Sequence, residues 1–174
     1  MEKFIAILKT ALNVLATIAP DFNPLKGHLA SDNITGSSRF YEQVKDMEDV
    51  LNLISTATNI EMFPAWGGAV GFAVHTAAPC GLQAWSAPVE GADYEVKMWH
   101  GCLQAFGPVT EETAVSNVFT IILTPEDTAD GKRFALASIY PGIPDVEPNR
   151  EDLAEGQHLT AADVRARNLR PKQA

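Results

Sequence analysis

Apolar positions along this chain change period from one stretch to the next. Near the start, Phe4, Leu8, Ala11, Leu15 and Ile18 recur every three or four residues, with Ile5 and Leu12 beside them. That is the apolar stripe of an amphipathic helix, and Pro20 blocks its continuation. Residues 21–38 are polar and broken by Pro24, Gly27 and Gly36, so they read as a loop. Helical spacing returns after Ser37 or Ser38, either a good N-cap. Phe40, Val44, Met47, Leu51 and Ile54 fall at intervals of three and four among Arg39, Glu42, Lys45, Asp46 and Glu48. A second helix is expected there, fraying after Ser55 and Thr56.

Beyond it the period shortens. Residues 59–68 read as a loop holding Met62, Phe63, Pro64 and Trp66, and 69–76 as a strand with Val70, Phe72 and Val74 alternating against Gly71, Ala73 and His75. A long loop is expected over 77–92 and a further strand over 94–105, closed by Gly107 and Pro108. The clearest β signal lies in 117–142. Val118 to Leu123 is an apolar run suited to a strand buried on both faces. Pro125 and the Asp130-Gly131 pair carry turn chemistry, and 133–140 form a second strand ending at Pro141-Gly142. Alternation puts Phe134, Leu136, Ser138 and Tyr140 on one face and Ala135, Ala137 and Ile139 on the other. After a proline- and acid-rich stretch, Thr160 and Asp163 have capping-box spacing and open a short helix ending near Asn168. The order predicts an α+β fold, with N-terminal helices on a twisted antiparallel sheet of about four strands and a short C-terminal helix. One domain is expected over 1–174, with an N-terminal helix in 1–20, a core in 25–142 and a proline-rich segment and helical tail in 143–174.

Composition adds bounds. With 174 residues, 46% hydrophobic and 20% charged, the chain has ordinary globular composition and can bury a sizeable core. A net charge of −9 discourages indiscriminate binding to polyanions, although a local basic pocket can sit on an acidic body. Two cysteines, Cys80 and Cys102, are too few for a disulfide scaffold. Glu2 spoils the basic start of a signal peptide, and Lys9 and Asn13 interrupt its apolar run, which is also too short and polar for a membrane span. A soluble, cytoplasmic protein without a membrane partner is the expectation.

No Walker loop, dinucleotide fingerprint, nucleophile elbow or zincin motif occurs. The histidines at 28, 75, 100 and 158 lack metal-ligand spacing, so neither metal nor cofactor is expected. His28 sits in a polar, glycine-preceded loop where an imidazole titrates near neutral pH, or is an incidental surface residue. Arg39, at the expected start of the second helix, is placed to face an anion together with backbone N–H groups, or is an ordinary exposed arginine. Ser138 and Tyr140 project two hydroxyls from one strand face, as a site wall or as a packed edge. His75, His100, Trp66, Met98 and Trp99 are assigned to strands and core. Together, His28, Arg39, Ser138 and Tyr140 supply a titratable base, a permanent cation and two hydroxyls, the groups that metal-independent phosphodiester transesterification needs.

The pattern resembles the bacterial ribonuclease A-like toxin domains found at the C-termini of contact-dependent inhibition proteins and other polymorphic toxins. In that family a Gly-His opens the domain, an arginine follows eleven positions later, and a last strand reads Thr-x-Tyr-Pro. Here Gly27-His28 is followed by Arg39 at that spacing, Trp66 follows the helical segment, and the last strand reads Ser138-Ile139-Tyr140-Pro141, with serine in place of threonine. The resemblance spans about 25–142. It implies an α+β toxin core in which His28 is general base or acid, Arg39 the phosphate-charge partner, and Ser138 and Tyr140 the hydroxyl pair. It also implies cleavage of RNA, tRNA included, to a 2′,3′-cyclic phosphate, an immunity protein as partner, and delivery or secretion as a toxin. The alternative is a non-catalytic protein-binding module of a bacterial mobile element, using a surface of Trp66, Trp85 and Trp99 or the long loop. A third reading is an enzyme acting on a small anionic substrate other than RNA.

Overall fold

The structure, a computed structural model, describes residues 1–174 except Asn33 and Asp145. In chain order the elements are α1 (Glu2–Ile18), β1 (Arg39–Phe40), α2 (Met47–Ser55), β2 (Asn59–Pro64), a 3₁₀ turn (Trp66–Gly68), β3 (Val70–His75), β4 (Gly81–Pro88), β5 (Asp93–Trp99), β6 (Cys102–Phe106), β7 (Val109–Ser116), β8 (Val118–Thr128), β9 (Gly131–Pro141), β10 (His158–Thr160) and α3 (Ala161–Ala166). The sheets run β2-β3-β8-β9, β1-β4-β7 and β10-β5-β6. The chain clusters into two units, Met1–Gln83 with Ala114–Pro144, and Ala84–Thr113 with Asp145–Ala174.

This corrects the expected α+β architecture of helices on one sheet of about four strands. Among the described residues the protein is mostly β, with ten strands in three sheets and three α-helices. Besides the three-residue β10, three strands lie wholly or largely where loops or no element were expected: β2, β4 and β7. Their exposed and buried positions do not alternate cleanly, as in the pattern of β2, where only Ile60 and Phe63 are even half-buried. Such strands are held by ladder hydrogen bonds to a neighbour, which local apolar spacing does not report. The strand expected over 94–105 is instead a hairpin. It turns at His100 and Gly101, whose φ values of 44° and 81° are left-handed.

The second helix is also shorter than expected. Asp46, not Ser37 or Ser38, caps α2: Asp49 N donates to Asp46 Oδ1 at 3.1 Å, and Asp46 N donates to Asp49 Oδ2 at 3.3 Å. This reciprocal pair satisfies two of the helix's open donors. Phe40 lies instead in β1, paired with Gly81. The first and last helices follow the sequence pattern: α1 buries Leu8, Ala11 and Leu15, and Thr160 and Asp163 form the capping box of α3.

In the first unit α1 packs across the four-stranded sheet. Its buried side chains share one core with Val74, Phe119, Ile121 and Ile139, and with Val50 and Ile54 from α2. Phe4 lies 4.8 Å from Phe72, and Phe40 lies 5.6 Å from Phe119, ring centre to ring centre. Register makes this one face, since Phe72, Ile121 and Ile139 are consecutive cross-strand partners. The adjacent rows, Ala73-Thr120-Tyr140 and Gly71-Ile122-Ser138, therefore occupy the opposite face. A β-bulge separates the two halves of β9. Ile122 pairs with Ser138 but Leu123 pairs with Leu136, leaving Ala137 as the extra residue. Leu136 thus leaves the Ser138–Tyr140 face on which strict alternation had put it and is fully buried, while Phe134 is exposed.

The second unit has its own core of Tyr94, Val96, Ala105, Leu159, Val164 and Leu169. The Tyr94 hydroxyl accepts from Val89 N at 2.5 Å and lies 2.8 Å from the Pro108 carbonyl, to which it donates. Among the described residues no helix is long and apolar enough to cross a membrane.

Candidate functional site

His28 is built into its loop at several points. Its backbone N donates to Leu25 O at 2.9 Å, and its carbonyl accepts from Phe40 N at 2.8 Å. The residues on either side are held by one carboxylate: Gly27 N and Leu29 N both donate to Asp32 Oδ2, each at 3.0 Å. Ser37 Oγ donates to Gly27 O at 2.6 Å. Gly27 has φ +87°, a left-handed conformation in which a side chain would be strained.

The ring itself is oriented. His28 Nδ1 lies 2.7 Å from the carbonyl oxygen of Ser38, a residue only 7% exposed. A carbonyl oxygen can only accept, so Nδ1 carries the proton and the lone pair of the neutral imidazole sits on Nε2. The other face of the arrangement is aromatic: the His28 and Tyr140 ring centres are 5.9 Å apart, inclined at 40°. Both residues are half-buried.

The other two expected residues stand close to this pair along the chain. Arg39 follows Ser38 and opens β1, which contacts β9 and pairs with β4 through Arg39–Leu82 and Phe40–Gly81. It does not stand at the start of a helix as expected, because α2 begins at Met47. Ser138 precedes Tyr140 by two residues on the same strand face and is half-buried. A strand rise of about 3.3 Å per residue separates their Cα atoms by about 6–7 Å. The structure therefore brings His28 and Tyr140 into contact, ties the residue before Arg39 to His28 by a hydrogen bond, and keeps Ser138 on the Tyr140 face.

Close packing fixes the end of β9. A Cβ on Gly81 would stand 2.3 Å from Arg39 O and 2.8 Å from Pro141 Cγ, and a Cβ on Gly142 would stand 2.6 Å from Gln83 Cγ and Cδ. Gly142 also has φ +109°. Thr120, fully buried opposite Tyr140, donates through Oγ1 to Gly142 O at 2.8 Å. Asp32, Ser37 and Gln83 are the residues that sequence reasoning missed. An aspartate and adjacent serines in a glycine-bearing loop signal side-chain-to-backbone bonding in general, but not which backbone groups are captured.

Elsewhere, three residues assigned to core are exposed. Trp66 is 54% exposed, Met98 52% and Trp99 44%. Trp85 donates to Glu112 at 3.1 Å. His75 lies 3.2 Å from Glu61, and His100 is exposed at its turn. Glu61, Phe63, Ala73, His75, Val118, Ile143 and Pro144, with Met62, line a groove of about 630 Å³. Among the described residues no three His, Cys, Asp or Glu side chains gather as a metal-binding group.

No protein-family model, curated protein or solved structure matches this chain.

Proposed function

We propose that the protein is a metal-independent endoribonuclease of bacterial toxin type, cleaving RNA by transesterification to a 2′,3′-cyclic phosphate. The observation that carries the reading is the contact of His28 with Tyr140, 112 positions away in sequence, with the imidazole turned so that its Nε2 is the basic nitrogen. In this scheme Nε2 takes the proton of a ribose 2′-hydroxyl, and the 2′-oxygen attacks the adjacent phosphorus. The bond from phosphorus to the 5′-oxygen breaks, and that oxygen leaves as a hydroxyl after collecting a proton from Tyr140 or water. Arg39 offsets the charge that develops on the phosphorus oxygens, and Ser138 and Tyr140 orient them.

The test is incubation of the purified protein with total tRNA and short single-stranded RNA, in EDTA and low salt, beside His28→Ala. The parent is expected to leave 2′,3′-cyclic ends, and the variant to be slower by roughly 10²–10⁴-fold. The variant loses one hydrogen bond to a carbonyl, about 1 kcal/mol, so it stays folded. Folded parent protein that cleaves neither RNA would sink the reading. The groove lined by Phe63, Ile143 and Pro144, with Met62 73% exposed and Ile143 59%, would then favour the non-catalytic protein-binding module.

A further inference from the structure

We infer that Asp32 is a positioning residue for His28, holding the loop so that the imidazole keeps its Nδ1–H tautomer and presents Nε2 as the base. The inference deepens the ribonuclease reading and rests on it for its catalytic meaning, although its structural content can be measured without RNA. One oxygen, Asp32 Oδ2, accepts from the backbone N–H on each side of His28, Gly27 N and Leu29 N, both at 3.0 Å. A carboxylate oxygen that captures both neighbours of a residue fixes that residue's backbone more tightly than either bond alone. Ser37 closes the same loop from the other side, donating Oγ to Gly27 O at 2.6 Å, and its Oγ lies 3.4 Å from His28 Nδ1.

The ring's own anchor is the Ser38 carbonyl at 2.7 Å. Ser38 adjoins β1, so the anchor belongs to the sheet, whereas the imidazole belongs to the loop. Asp32 acts beside the bond from Phe40 N to the His28 carbonyl at 2.8 Å: that bond ties His28 to β1, and Asp32 holds the residues on either side of it in the shape that brings the ring to its anchor. Without the Asp32 bonds the neighbours of His28 are released although its own carbonyl stays on Phe40 N, and the ring can turn off Ser38 O and adopt the Nε2–H tautomer favoured by free histidine in water, which removes the lone pair from the nitrogen assigned as base. Asp32 touches no reacting atom in this scheme. It acts through His28.

The experiment uses the full chain labelled with ¹⁵N and long-range imidazole correlation spectra at alkaline pH, where histidines are neutral. His28→Ala identifies the His28 signals. The parent is expected to show His28 as the Nδ1–H tautomer, and Asp32→Ala to convert it wholly or partly to Nε2–H. Asp32→Asn keeps an acceptor oxygen at the same reach and is expected to retain the parent tautomer. Asp32→Glu keeps the charge but displaces the carboxylate by one methylene. It is expected to follow the alanine variant, and supplies the readout if Asp32→Ala does not fold. In RNA cleavage the displaced base should lower kcat on the order of 10- to 100-fold with KM changed by less, because ground-state binding does not need the tautomer. A parent His28 in the Nε2–H form, or an Asp32→Glu spectrum identical to the parent's, would overturn the inference. A parent that cleaves no RNA but shows the tautomer and its loss would overturn the ribonuclease reading and leave the positioning role standing.

Discussion

Cys80 shows how far a single residue can be read from its surroundings. Its thiol is 1% exposed, and the weak S–H donor faces Ser116 O at 3.5 Å and Val118 O at 3.7 Å. Burial pushes its pKa up from 9.0 to about 11, partly opposed by a hydrogen bond with Thr76. The native state therefore holds the proton more tightly than the unfolded chain. Ionisation of Cys80 contributes no pH dependence while both states are protonated, and as pH climbs from 9.0 to about 11 the unfolded state ionises first and stability falls. Thermal melts of the parent and Cys80→Ala across that range should converge, the parent losing more. Parallel curves would mean that the thiol does not titrate differently in the two states. The same burial makes Cys80 a poor nucleophile, so the sulfur belongs to the core rather than to chemistry.

Caps and bulges decide what the elements are. The aspartate pair at Asp46 and Asp49 starts α2, and that local choice frees residues 39–40 to pair as β1 beside His28. Asp46→Ala should cost about 1 kcal/mol, read as a lower midpoint in urea with an unchanged slope. A midpoint equal to the parent's would show that the cap is not what starts the helix. At this scale the sequence was legible where a signal is local. The α1 stripe and the Thr160–Asp163 box need only neighbours three or four residues away. It was misleading where Phe40, Val44 and Met47 kept helical spacing across two different elements, because a strand of two residues and a turn can present apolar side chains at that interval too. The Ala137 bulge had no signature in an alternating run, so Leu136 was assigned to the wrong face while Ser138 and Tyr140, both beyond the bulge, kept their shared one.

For the whole molecule the charge balance sets a constraint on any RNA partner. The chain carries −9 overall, and of the four proposed site residues Arg39 alone is a permanent cation. An enzyme that grips the reacting phosphate and little of the flanking backbone should show shallow salt dependence. With about 0.7 per phosphate neutralised on single strands, log kcat/KM against log salt should fall with a slope of about −1 to −2. A slope steeper than about −5 would point to an extended basic track and a different footprint. The His28–Tyr140 contact belongs to this scale, since it joins the first loop to the last strand of one unit.

By itself the sequence determined the features that depend on short spacing: the first helix, the final capping box, the β8–β9 hairpin and the shared face of Ser138 and Tyr140. Tertiary structure alone decided that, among the described residues, ten strands form three sheets, because a strand with mixed polarity is stabilised by partners distant in sequence. It also decided which His28 nitrogen is basic. That depends on a carbonyl ten residues away and a carboxylate bound to both of its neighbours, and hydrogen-bond geometry of this kind has no period for a sequence to display.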